Sequence, residues 1–216
     1  TRIIQNPNFN NSVLNSYLTD ENQKSLDETG YVKCLSVEMN QRRLQREGNY
    51  LQNDAFEEWI APKIEAHKQL VAEQKLNGTY RMAVTNIPII FHVITDGSGQ
   101  ENLSASIIQA QIDQLNLDFS NQAGSTNPVA ADALVQFVPA VVDPLGNILP
   151  EPGIDRVTSY GDGPFNRTDF DVGDGGLEIK STVWDRNQYA NIWTADIAGG
   201  ILGYAQFPSN STLPGF

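Results

Sequence analysis

Three kinds of side chain in this 216-residue sequence are able to carry chemistry: one cysteine, Cys34, two histidines, His67 and His92, and three aspartates in a glycine-rich stretch, Asp169, Asp171 and Asp174. A thiolate is a nucleophile and a soft metal ligand. Two imidazoles one helical turn apart, with a glutamate beside the first, make a hydrolytic zinc site. His67 and His92 stand far apart with no glutamate in that relation, so the sequence holds no such motif. His67 falls on or near the apolar side of a helical stretch and reads as a packed or half-exposed histidine; His92 sits inside an apolar run and reads as a core or sheet-face residue. Clustered carboxylates suit a hard cation, and Asp169, Asp171 and Asp174 invite a calcium reading, although their spacing is not that of an EF-hand loop and an acidic surface loop fits them too. Cys34, in Tyr31-Val32-Lys33-Cys34-Leu35, is open to a buried apolar role as well as a reactive one.

The composition narrows the class. A hydrophobic content of 40% supports a sizeable core, and a net charge of -12 argues against a nucleic-acid partner or an anionic membrane surface, both of which call for clustered Lys and Arg. No run approaches the roughly twenty apolar residues of a spanning helix. The start, TRIIQNPNF, has neither methionine nor an apolar signal core and reads as processed. A single cysteine excludes an internal disulfide.

The elements that must position these residues follow in order. Residues 1–33 are polar and asparagine-rich with scattered apolar anchors, and predict an extended or loosely structured arm. Residues 38–50 form a charged, helix-compatible run closed by Gly48, whose Arg42, Arg43 and Arg46 offer a possible processing site as well as a solvated face. From Asp54, a capping box with Glu57 and the near-helical spacing of Phe56, Trp59, Ile60, Ile64, Leu70 and Val71 predict a helix up to Asn77-Gly78, kinked or restarted at Pro62. Ile87 to Thr95 is apolar at consecutive positions, as in a strand covered on both faces. Ser104 then caps a helix with Leu103 and Ile108 as a hydrophobic staple and Ile108, Ile112, Leu115 and Phe119 on one side. Leu134 to Val142 is the next strand, turned by Asp143-Pro144-Leu145-Gly146-Asn147, and residues 150–182 read as a long connection rich in glycine and aspartate.

The chain is organised around Trp184 to Pro208, WDRNQYANIWTADIAGGILGYAQFP: a β-rich run (Tyr189 to Thr194), a breaker at Ala198-Gly199-Gly200, and a second run from Ile201 to Phe207. Glycine and proline at the ends of the second run favour the rim of a sheet over its centre. This stretch, with the Ile-Pro-Ile-Ile-Phe-His-Val block at Ile87 to Val93, Gln-Ile-Asp-Gln-Leu-Asn at Gln111 to Asn116, Asn127-Pro128-Val129-Ala130-Ala131-Asp132, Asp143-Pro144, Gly153-Ile154-Asp155-Arg156 and Gly203-Tyr204-Ala205-Gln206-Phe207-Pro208, resembles the bacterial pappalysin-family zinc metalloproteases of the metzincin clan. The matched blocks span roughly residues 85–216 and lie in order, which is more specific than any one motif.

The resemblance implies an α/β fold: a propeptide-like latency segment over residues 1–80, with an arm and a helix, then over 81–216 the N-terminal, upper subdomain of a metzincin catalytic domain, with a twisted mixed sheet and a backing helix. The subdomain stops before the zinc-binding motif H-E-x-x-H-x-x-G-x-x-H, which the sequence lacks. It further implies that Cys34 blocks the zinc in latency, although relatives follow this cysteine with glycine and here Leu35 follows. Gly199, Gly200, Ile201, Leu202, Gly203 and Tyr204 would form the substrate-binding edge strand, on which a peptide pairs antiparallel. Relatives carry paired cysteines where Val138 and Ala195 stand here, which places those two residues on neighbouring strands. The implied whole is a secreted or cell-surface bacterial zymogen with zinc ligands downstream of this chain, a protein or peptide substrate, and its own downstream catalytic segment as partner; this chain alone is expected to be inactive. The competing expectation is a non-catalytic secreted binding module or fragment that keeps the peptidase-like sheet.

Overall fold

A computed structural model describes residues 18–47, 53–81, 83–171 and 175–205, with the side chains of 42–47 and 53–56 excepted. Among these residues the chain divides into two compact units, one made of 18–81 with 197–205 and one of 83–196.

The first unit carries three helices: α1 (Asp20–Thr29), α2 (Ser36–Glu47) and α3 (Asn53–Leu76). α1 stands where the sequence predicts a loose arm. It has little apolar periodicity, but its ends are well made: the Thr19 hydroxyl accepts from the Asn22 N–H at 3.3 Å, Asp20 and Glu21 lie in the positive first turn, and Gly30 closes it at φ 77° with its N–H on the Leu26 carbonyl. α3 continues through Pro62 as one helix, so of the expected kink or restart no restart occurs. His67 lies on its exposed surface.

The second unit is an α/β layer pair. β1 (Thr85–Ile94) is the central strand, and β2 (Val135–Pro139), β3 (Ile154–Val157) and β4 (Ala190–Thr194) all pair with it in parallel. The α/β expectation holds: the three pairings of β1 are parallel, and an isolated antiparallel bridge joins Val142 to Ile148 outside these strands. Ile89 has Pro139 and Ala190 as partners at once, so β2 and β4 occupy opposite edges of β1. That overturns the placing of Val138 and Ala195 on neighbouring strands, because β1 lies between the strand of one and the strand that leads to the other. β3 falls inside the stretch read as a connection; it is four residues long and half charged, too short for alternation to show.

The periodicity of β1 explains its place. Ile89, Phe91 and Val93 turn to one face and pack with Ile108 and Ile112 of the backing helix α4 (Ala105–Phe119) and with Ile154, with Leu103 and Leu115 at the margin. Each such buried side chain contributes roughly 1.5–3 kcal/mol. Ser104 is the N-cap residue of α4, yet its hydroxyl bonds to the Ser106 hydroxyl at 2.9 Å and not to the helix backbone. Ile90, His92 and Ile94 turn to the other face and are equally buried. Arg156 of β3 clamps Glu151 through two bonds of 2.6 and 2.8 Å and also reaches Asn102 and the Leu103 carbonyl, which fastens the loop ahead of α4.

Candidate functional site

Within the first unit, residues 31–36 lie alongside residues 200–205, joined by one isolated bridge; over the described residues the expected run from Ile201 is extended but forms no strand of the sheet. Val32 and Ile201 form a parallel bridge. The Val32 N–H donates to the Gly200 carbonyl at 2.9 Å, the Leu202 N–H to the Val32 carbonyl at 2.9 Å, and the Leu35 N–H to the Gly203 carbonyl at 3.0 Å. The Ala205 N–H extends the contact to the Ser36 hydroxyl at 2.7 Å. Backbone carries almost all of this recognition, as expected where one extended segment adds to the edge of another.

The turn residues make the approach possible. Gly199 and Gly200 both have positive φ, 82° and 72°, and a Cβ on Gly200 would overlap the carbonyl oxygen of Gly30. Only glycine meets both requirements. Beneath the paired backbones, Val32, Leu35, Met39 and Ile201 are buried together, flanked by Leu18, Leu26, Ile197 and Tyr204. Leu35 is thus a packing residue.

Cys34 lies between the two buried anchors and is exposed, with a free thiol that donates to the Ser36 hydroxyl at 3.2 Å. Its carbonyl accepts from the Asn22 side chain at 2.9 Å. Asn22 and Thr19 in turn converge on one oxygen of Glu38: the Thr19 N–H and hydroxyl reach Oε1 at 2.9 Å each and the Asn22 amide at 2.8 Å. Burial pushes the Glu38 carboxyl up, but these bonds together with one from its own backbone outweigh that and hold it below the ordinary carboxylate range. Thr19, Asn22, Ser36 and Glu38 were not marked as functional by their sequence pattern. Thr19-Asp20-Glu21-Asn22 is legible as a helix start, whereas nothing local to Glu38 reveals its partners.

The expected substrate-strand residues Gly199 to Tyr204 are therefore brought together with Cys34 by the pairing of their segments. Asp169 and Asp171 are each engaged by another partner. Asp169 accepts from the Asn166 N–H at 2.7 Å in a capping box, Asp171 is ion-paired with Lys180 at 2.7 Å, and Asp174 lies outside the described residues. Arg42, Arg43 and Arg46, as side chains, lie outside them too. Among the described residues no group of three or more His, Cys, Asp or Glu side chains is placed to hold a metal ion.

No family model matches the chain. No curated protein matches it either. Solved structures do. The chain is similar to mirolysin. The alignment with mirolysin in complex with a small compound has 30% identity, covers 58% of this chain and 47% of that one, and has a TM-score of 0.46. Mature mirolysin of Tannerella forsythia in complex with a cleaved peptide aligns at 28% identity over 51% of this chain and 42% of that one, TM-score 0.40. A mutant of promirolysin from Tannerella forsythia aligns at 24% identity over 69% and 51%, TM-score 0.42. The chain spans about half the length of these structures.

Proposed function

We propose that this chain is the front part of a secreted zinc metalloendopeptidase zymogen, in which residues 31–36 hold the substrate-binding edge, Gly199 to Tyr204, in an occupied state. The observation that carries the reading is the parallel pairing of Val32 and Leu35 with Gly200, Leu202 and Gly203, whose N–H and C=O groups a peptide substrate would need. The sequence blocks that resemble the pappalysin family supply the chemistry class. A substrate pairing antiparallel on the same edge would run opposite to residues 31–36, so the latency segment fills the edge without presenting its own backbone in the productive direction.

In this reading Cys34 is the residue aimed at the zinc, exposed between two buried neighbours and steadied through its carbonyl by Asn22. The residues described do not make a zinc site, so the metal's ligands would come from sequence that this chain does not contain, and no step through the metal is assigned to this chain. Calcium bound by Asp169, Asp171 and Asp174 gains no support, since Asp169 and Asp171 are each engaged elsewhere.

The test uses the full-length protein. Zinc content near one per molecule, with peptide hydrolysis low before removal of residues 1–80 and high after it, is the expected outcome. Hydrolysis unchanged by that removal would reject the latency role, and a full-length protein that binds no zinc and cleaves no peptide would leave the binding-module reading in its place.

A further inference from the structure

We infer that α1 is a clamp for the latency segment: Asn22 and Ser25 are positioning residues that grip the carbonyls of Cys34 and Tyr31, and thereby aim the N–H groups of Leu35 and Val32 at the edge. This rests on the reading of residues 31–36 as the segment that fills Gly199 to Tyr204. All of these groups lie within the first unit.

α1 has no buried residue, so packing does not explain its place. Its polar contacts do. Asn22 and Ser25 stand three residues apart, on one face of the helix. Asn22 Nδ2 donates to the Cys34 carbonyl at 2.9 Å, and the Ser25 hydroxyl donates to the Tyr31 carbonyl at 3.0 Å. The Thr29 hydroxyl lies 3.3 Å from that second carbonyl but makes its shorter bond, 2.7 Å, to the carbonyl of Ser25.

The peptide groups carry the effect to the edge. In a planar trans peptide the C=O and the following N–H point opposite ways, and the bonds at 31–32 and 34–35 are both trans. The plane whose carbonyl Ser25 holds is the one whose N–H, that of Val32, donates to Gly200 at 2.9 Å. The plane whose carbonyl Asn22 holds is the one whose N–H, that of Leu35, donates to Gly203 at 3.0 Å. Each plane is therefore gripped by α1 on one side and by the edge on the other, and a plane held at its carbonyl resists tipping its N–H away.

Glu38 sets the Asn22 end of the clamp. Its carboxylate is 4% exposed and takes the second hydrogen of Asn22 Nδ2 on Oε1 at 2.8 Å. An amide turned over would set Oδ1 against a carboxylate and a carbonyl at once, so nitrogen holds that place. The Thr19 hydroxyl gives its hydrogen to the same Oε1 and accepts the backbone N–H of Asn22, which fixes the residue at a second point.

The test uses the zinc-loaded full-length protein, with amide exchange at Val32 and Leu35 and hydrolysis of a quenched-fluorescence peptide mixture as readouts. Asn22→Ala is expected to lower protection of Leu35 about tenfold and leave Val32 little changed, and Ser25→Ala to do the reverse, each the worth of one hydrogen bond. Each variant should also raise hydrolysis by the intact protein, by up to about tenfold. Removal of residues 1–80 discards both positions, so parent and variants must then hydrolyse at one rate, which shows that the remainder folded. Loss of protection at Val32 and Leu35 together in each variant would overturn the clamp, since general loosening of the segment has that signature. Unchanged hydrolysis in both variants, while trimming activates the parent, would overturn it too. If trimming leaves the parent unchanged, the latency reading falls, and the amide pattern still decides the clamp. Should Asn22→Ala misfold, Ser25→Ala decides by the same two amides.

Discussion

Gly200→Ala is the substitution that isolates the pairing of residues 31–36 from everything around it. Alanine at φ 72° sits in the left-handed region, which costs about 1–2 kcal/mol for an L residue. Its Cβ would overlap the Gly30 carbonyl oxygen and lie 3.3 Å from the Gly30 carbonyl carbon and 3.4 Å from Tyr31 Cα, all of it backbone that has no side-chain rotation to escape with. Relief requires the two segments to separate, which puts at risk the bonds of Val32 with Gly200 and Leu202 and of Leu35 with Gly203, each of net worth about 1 kcal/mol. A loss of about 2–3 kcal/mol against local opening is expected. At about 1.4 kcal/mol per factor of ten, that is a roughly 30- to 150-fold drop in amide exchange protection. The assay is native-state hydrogen exchange read at the Val32, Leu35 and Leu202 amides. Gly203→Ala is the comparison, since a Cβ there meets nothing within 4 Å, and its effect should be much smaller. Protection at Val32 and Leu202 unchanged by Gly200→Ala would refute the close approach on which the site is built.

Other outcomes follow from the same contacts. Leu35→Ala removes a side chain that is 1% exposed from the cluster beneath the pairing and should cost about 2–5 kcal/mol, read by urea unfolding of the chain. Glu38 is held below the ordinary carboxylate range, so the stability it contributes is present above its unfolded value and lost as pH falls through the lowered folded one. Exchange protection of the Thr19 amide should fall on acidification in that window, and Glu38→Gln should abolish the dependence. Arg156→Lys keeps the charge but loses the two-pronged grip on Glu151, so the melting temperature should drop modestly and a Lys restored to Arg should recover it.

What could be read from the sequence was what burial alone decides. β1 declares itself by consecutive apolar residues, and α4 by Ile108 and Ile112 one turn apart, because both bury against each other. α1 escaped notice because no residue of it is fully buried; its caps at Thr19 and Gly30 and the distant carboxylate of Glu38 hold it in place. β3 escaped because Asp155 and Arg156, charged and adjacent, are satisfied by His92 and Asn102, far back along the chain, as well as by the nearby Glu151. The disposition of Val138 and Ala195 failed for a related reason: a resemblance aligns residues in order, while the edge of β1 on which each strand docks is set by tertiary packing. For the candidate site, Cys34 and the glycines of the Gly199 to Tyr204 stretch were visible as types, but their meeting rests on one bridge between residues 169 positions apart, Val32 and Ile201, and on backbone bonds that leave little trace in side-chain pattern.

The most direct measurement is peptide hydrolysis by the zinc-loaded full-length protein with and without Val32→Pro. Proline removes the N–H that reaches the Gly200 carbonyl and leaves every residue of the Gly199 to Tyr204 edge as it is. The account predicts a silent parent and a variant whose hydrolysis rises part of the way toward that of protein from which residues 1–80 have been removed. A variant as silent as its parent, while the trimmed protein is active, would contradict the occupied edge as the cause of latency.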